Sequence, residues 1–189
     1  FAAEPNQYRG IFGEGTDPYL DEIDRTIAYT TSGSLAAMIV EPVQGYGGII
    51  PMPAGYMKGA SEKVRAAGGL FILDEVQSGF GKTGDSMWCF DSHDVVPDIM
   101  IIAKGLGNGI PIGAVIARAD IGEAMGPGSH GSTFGGNPLS TACGNAVLDG
   151  LEEEGFMAGV QNRITLLDDC PLYTSYPADD LPVVALLAT

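Results

Sequence analysis

Short apolar runs alternate with longer mixed stretches along this chain. Residues 17–33, DPYLDEIDRTIAYTTSG, open on Asp-Pro and close on Gly. Leu20, Ile23 and Ile27 recur there at helical spacing, which predicts a helix. The run 35–43, LAAMIVEPV, is stopped by Glu-Pro and predicts a buried strand. Residues 53–69 begin with Pro and end in Gly-Gly, the expected asymmetry of a helix. LFILDEV (70–76) predicts a second buried strand, and PDIMIIAKGLG (97–107) carries a four-residue apolar run before Ala103-Lys104. PIGAVIARADI (111–121) is a further strand candidate. Residues 137–155 predict a long helix, with Pro just inside its start and Gly past its end.

Buried strands alternating with helices imply an α/β layer around a largely parallel sheet. Ligands of such sheets gather beyond the carboxyl ends of the strands. The informative residues are therefore those that close the apolar runs: Glu41, Asp74 and Lys104.

Composition narrows the classes. With 189 residues, 45% of them hydrophobic, the chain can form one domain with a sizeable core or part of a larger one. Its Gly and Pro residues are scattered, which excludes collagen-like and disordered readings. Nine basic against 24 acidic side chains give a net charge of −15, which repels a phosphate backbone and disfavours nucleic acid as a partner. No apolar run approaches the roughly 20 residues of a membrane-spanning helix, so no membrane partner is expected. Cys89, Cys143 and Cys170 are odd in number and widely spaced. They predict small buried side chains in a reducing compartment, not a disulfide framework or a metal site. His93 and His130 have no metal-ligand spacing either.

ILDEVQSGFGKTG (72–84) raises the possibility of a nucleoside triphosphatase, since it holds an apolar run ending in Asp and then Gly81-Lys82-Thr83. A phosphate loop needs a glycine five residues before the Gly of its Gly-Lys pair, and Val76 stands there. The order is also reversed, because the loop follows the Asp directly. Lys82 is accordingly expected as an exposed loop lysine.

Lys104 suits different chemistry. A lysine straight after a buried run sits in a low-dielectric neighbourhood, which depresses its pKa and makes the amine a better nucleophile. Such lysines form Schiff bases with aldehyde cofactors. Asp74, at the end of a neighbouring strand, needs a cationic partner, and a protonated pyridine nitrogen supplies one.

The words IVEPVQG, LDEVQSGFGKTG, PDIMIIAKGLGNGIPIGAV and STFGGNPLSTA occur in this order. Together they resemble the class III (omega-type) aminotransferases of fold type I, which use pyridoxal 5'-phosphate. The resemblance runs from about residue 5 to about residue 160. Within the class, residues 88–109 are most similar to the alanine–glyoxylate aminotransferase 2 branch. The resemblance implies that residues 1–160 form part of the cofactor-binding large domain, incomplete at both ends. Residues 161–189 are then an atypical tail where the small C-terminal domain would begin. It implies that Lys104 carries the cofactor as a Schiff base and moves protons, and that Asp74 pairs with the pyridine nitrogen. Val76 is expected against the ring face, and Gln77 near the 3-oxygen. Thr133, with Ser132 beside it, is expected to reach the phosphate of a neighbouring subunit's cofactor. Glu41 is expected near the substrate amine. A homodimer, or a dimer of dimers, follows from the same resemblance.

Tyr46 departs from the ornithine and 4-aminobutyrate members, where a glutamate is common. This favours transfer from an alanine-like donor to glyoxylate or pyruvate. The family's upstream phosphate loop and its small-domain arginine have no counterpart in the 189 residues, and the chain opens without Met, which points to a piece of a longer protein. Other reactions on this scaffold (aminomutase, racemase, phospholyase, decarboxylase) and an inactive fragment stay open. A soluble intracellular protein, mitochondrial or cytoplasmic, is expected.

Overall fold

The computed structural model describes residues 1–169. Helix α1 spans Asp17–Thr30, with Pro18 in its first turn. Strand β1 (Ala37–Val40) follows, then a small hairpin of β2 (Val43–Gln44) and β3 (Ile50–Pro51). Helix α2 (Tyr56–Ala66) leads into β4 (Leu70–Asp74). A long connection containing a 3-10 turn at Cys89–His93 reaches β5 (Ile99–Ile102). After a second 3-10 turn at Lys104–Leu106 come β6 (Ala114–Ala117), a short α3 (Ala119–Gly122), α4 (Pro138–Leu151) and α5 (Phe156–Asp168). The Asn137 side chain caps α4 by accepting the Ser140 N–H.

The main sheet has the order β1-β4-β5-β6. The first two pairings are parallel and the last is antiparallel, so the sheet is mostly parallel as expected. Side chains alternate across it. Val40, Phe71 and Leu73 turn to one face and pack with Tyr19 and Ile23 of α1 and with Tyr56, Met57, Ala60 and Val64 of α2. On the same face, Met100 and Ile102 join Phe80 and Leu106, backed by Trp88, Phe90 and Leu151.

The opposite face carries Ile39, Ile72 and Ile99 in one row, and Asp74, Ile101 and Val115 in the next. It is only partly covered: Ile39 is 58% and Val115 66% exposed. The expectation that 35–43 is a fully buried strand is corrected here. β1 lies at the sheet edge and only Val40 is buried. Residue 160, the expected end of the large-domain part, lies within α5. Gln161 of that helix donates to the Gly84 carbonyl. Cys89 is buried and Cys143 half-buried, both as free thiols. Cys170 and the rest of the tail lie outside the described residues.

Candidate active site

The ends of three adjacent parallel strands meet at one sheet edge. Asp74 is the last residue of β4 and stands opposite Ile101 of β5. Glu41 follows Val40, whose partner is Leu73, so it is level with Asp74. Lys104 follows three residues after Ile101, in the 3-10 turn after β5, a strand about 4.8 Å from β4. The Glu75 N–H donates to the Ile101 carbonyl (2.9 Å), which carries the β4–β5 ladder one step past Asp74.

Asp74 lies on the open face. Its Oδ1 accepts the Val76 N–H at 3.0 Å, which closes a local turn and aims the carboxylate outward. Among the described residues Oδ2 takes no hydrogen bond, nor does the Gln77 carboxamide, and Lys104 Nζ makes neither a hydrogen bond nor an ion pair. Lys104 is exposed and holds a left-handed φ of 44°. For a residue with a Cβ this costs of order 1–3 kcal/mol and persists only where the surroundings impose it.

The β2–β3 hairpin closes one side. The Glu41 Oε2 accepts the Gly45 N–H at 2.9 Å. A Cβ placed on Gly45 would stand 3.1 Å from Gln77 Nε2 and 3.6 Å from Glu41 Oε2, so Glu41, Gly45 and Gln77 are packed together. Tyr46, at the hairpin tip, is fully exposed.

Glu41, Asp74, Val76, Gln77 and Lys104 are thus gathered at one edge. Ser132 and Thr133 lie on an exposed loop and make no hydrogen bond to these residues among the described ones. Ser132 Oγ accepts the Gly135 N–H (3.1 Å) and lines an open cleft with His130, Phe134, Asn137 and Ser140. Lys82 is exposed as expected, but partial desolvation, and then the Lys104 charge, hold its amine below the usual lysine range. His93 is half-buried; burial lowers its pKa, and its Nδ1 takes no hydrogen bond among the described residues.

Glu75 was not singled out by the sequence. Glu75 is fully buried. Its Oε2 accepts Ser78 Oγ–H (2.5 Å) and its Oε1 accepts the Phe90 N–H (2.9 Å), while its carbonyl accepts the Gly79 N–H (2.8 Å). It fastens the turn bearing Val76 and Gln77 to the 88–90 segment. The available signal was a second acid directly after Asp74 in an apolar run. Burial also pushes the neighbouring Cys89 thiol up to about 12, helped by the Glu75 and Asp85 charges.

Known proteins share this sequence and fold. The family model described as aminotransferase class-III matches residues 5–170. An alanine–glyoxylate aminotransferase 2 homolog of Arabidopsis thaliana, described as mitochondrial, is 47% identical over 153 residues, which are 81% of this chain and 32% of that protein. An acetylornithine aminotransferase of Corynebacterium efficiens is 46% identical over 138 residues, 73% of this chain and 34% of that one. Among solved structures, the ornithine aminotransferase of Toxoplasma gondii, described with partial occupancy of PLP at its active site, superposes with a TM-score of 0.74 at 35% identity. That superposition covers 86% of this chain and 37% of that one. The chain therefore spans about a third of the length of the curated relatives it matches. On the residues matched and the identity shared, it belongs to the class-III aminotransferase family, whose cofactor is pyridoxal phosphate.

Proposed function

We propose that the protein moves an amino group from an alanine-like amino acid to an oxo acid, glyoxylate or pyruvate. The observation that carries this reading is the meeting of Asp74 and Lys104 at the carboxyl ends of adjacent parallel strands, each with an unengaged polar atom among the described residues. That donor set fits pyridoxal phosphate: a primary amine for the aldehyde, a carboxylate for the pyridine nitrogen and a carboxamide for the ring oxygen. When bound, the cofactor supplies an electrophilic carbon for amines and a ring that takes up electrons from the substrate.

The chain's own groups do the rest. Lys104 Nζ would hold the cofactor through its aldehyde and, once released by substrate, would take up and return a proton at the substrate. Asp74 Oδ2 would keep the pyridine nitrogen protonated, and that positive nitrogen would draw the negative charge that develops at the substrate carbon. Val76 would pack against the ring face and Gln77 would donate to the ring oxygen. Glu41, held by Gly45, receives the substrate amine. Ser132 and Thr133, on their exposed loop, reach the cofactor phosphate of a second subunit, so the working unit is a homodimer. The alanine–glyoxylate choice is supported by the identity to the Arabidopsis protein and by Tyr46, which offers no carboxylate for an ion pair. A mitochondrial or cytoplasmic location is supported by that relative's description and the free thiols of Cys89 and Cys143. Among the described residues no helix is long and apolar enough to cross a membrane.

The test is an assay of an expressed chain containing residues 1–189 with pyridoxal phosphate, L-alanine and glyoxylate. Glycine and pyruvate are expected in equal amounts, with none from Lys104→Ala. Turnover with acetylornithine and none with alanine would overturn the donor assignment.

A further inference from the structure

We propose that Phe80 is a positioning residue for Lys104, acting through Gly105; this rests on the reading of Lys104 as the reactive amine. Phe80 is buried and holds a left-handed φ of 62°. Its ring meets Trp88 edge-on, with centroids 4.9 Å apart and planes at 62°. The other side of the ring lies against the backbone that follows Lys104. A Cβ placed on Gly105 would stand 3.0 Å from Phe80 Cδ2 and 3.4 Å from Cγ. A side chain at Gly105 would force the ring back by a few tenths of an ångström.

Two non-glycine residues with positive φ, Phe80 and Lys104, therefore meet across one glycine. Neither conformation is favoured alone, and each must be imposed by its surroundings. The imposing contacts are visible. Leu106 shares the buried cluster of Phe80, and the Gly107 N–H donates to the Lys104 carbonyl (3.1 Å). Gly144 of α4 sits behind this turn: a Cβ there would lie 3.6 Å from the Leu106 carbonyl oxygen. Phe80 is itself placed by the turn that Glu75 fastens. The depressed pKa of Lys82, two residues on, arises in part from the Lys104 charge and agrees with this loop lying beside the amine. The ring thus braces the lysine backbone from beneath and sets where Nζ can stand.

The experiment reads Lys104 without cofactor. The 189-residue chain is acetylated with limiting acetic anhydride at several pH values, and each lysine is followed by peptide mass spectrometry with Lys58 as the reference. Phe80→Leu and Gly105→Ala are each expected to change the acetylation rate of Lys104 by about threefold or more relative to Lys58, the low end of coupling between touching residues. The double variant is expected to change it by less than the product of the two, because the added methyl enters space the ring has left. Val64→Ala, in the α2 cluster, controls for general destabilisation and is expected to leave Lys104 unchanged. Unchanged Lys104 in both single variants, a double variant equal to the product, or an equal shift in Val64→Ala would each overturn the proposal. If Phe80→Leu fails to fold, Gly105→Ala against Val64→Ala decides it. Borohydride reduction after adding pyridoxal phosphate reports the parent reading separately. No label on wild-type Lys104 would sink that reading, while the acetylation pattern still decides this one.

Discussion

A carboxylate with no exposed surface, Glu75, holds the turn on which the candidate cofactor contacts depend. Glu75→Ala would leave the Phe90 N–H and the Ser78 hydroxyl without their partner. At about 1–3 kcal/mol for each buried group left unpaired, a loss of about 3 kcal/mol is expected in urea unfolding, with Glu75→Gln costing less. Asp74→Asn behaves differently. The Asn oxygen can still accept the Val76 N–H, so the unfolding midpoint should hold. Without a carboxylate for the pyridine nitrogen, turnover should fall by about 10²–10³, as when a preorganised charge-stabilising group is removed. Unchanged turnover would remove Asp74 from its assigned role. Asp74 and Lys104 were legible in the sequence because each closes an apolar run. Glu75 and Phe80 were not, since their roles depend on how the chain reverses after β4, which no periodicity records.

Among the elements, one network ties the sheet at the end remote from the candidate site. Asp98, only 2% exposed, accepts the Phe71 N–H at 2.8 Å and Arg65 Nε–H at 3.2 Å, and also bonds Arg118. It joins α2, β4, β5 and β6. Burial pushes its carboxyl up, but the Phe71 amide and the two guanidiniums outweigh this and hold it below the usual aspartate range. A folded-state pKa below the unfolded value adds stability that is full above the unfolded pKa, about 3.9, and is lost as pH falls through the folded one. Asp98→Asn should therefore cost about 2 kcal/mol near neutral pH, the scale of hydrogen bonds to a charged group. The gap to wild type should close below about pH 4. A gap that widens in acid would contradict this account. Helices α1, α2 and α4 and the strands of the sheet were legible from periodicity and from their Pro and Gly punctuation. The β2–β3 hairpin was not, because two-residue strands carry no pattern. Helix α5 was missed because its apolar residues form only a weak stripe.

The whole molecule presents a sheet covered well on one face and poorly on the other, where Ile39 and Val115 are exposed beside Asp74. Solvent-facing apolar rows of this kind favour association. Light scattering of the isolated chain should rise with concentration, and Ile39→Lys with Val115→Lys should reduce it. The α/β class and its family were legible, since the motifs that close the strands stand in one order. The half-open face was not, because it depends on what packs there. The central claim is that Lys104 and Asp74 together hold pyridoxal phosphate. Its most direct test is the visible absorption spectrum of the chain after adding the cofactor and removing the excess, beside Lys104→Ala and Asp74→Asn. The account predicts a bound-cofactor band in wild type that is absent in Lys104→Ala and shifted in Asp74→Asn. A band of equal strength in Lys104→Ala, or none in folded wild type, would contradict it.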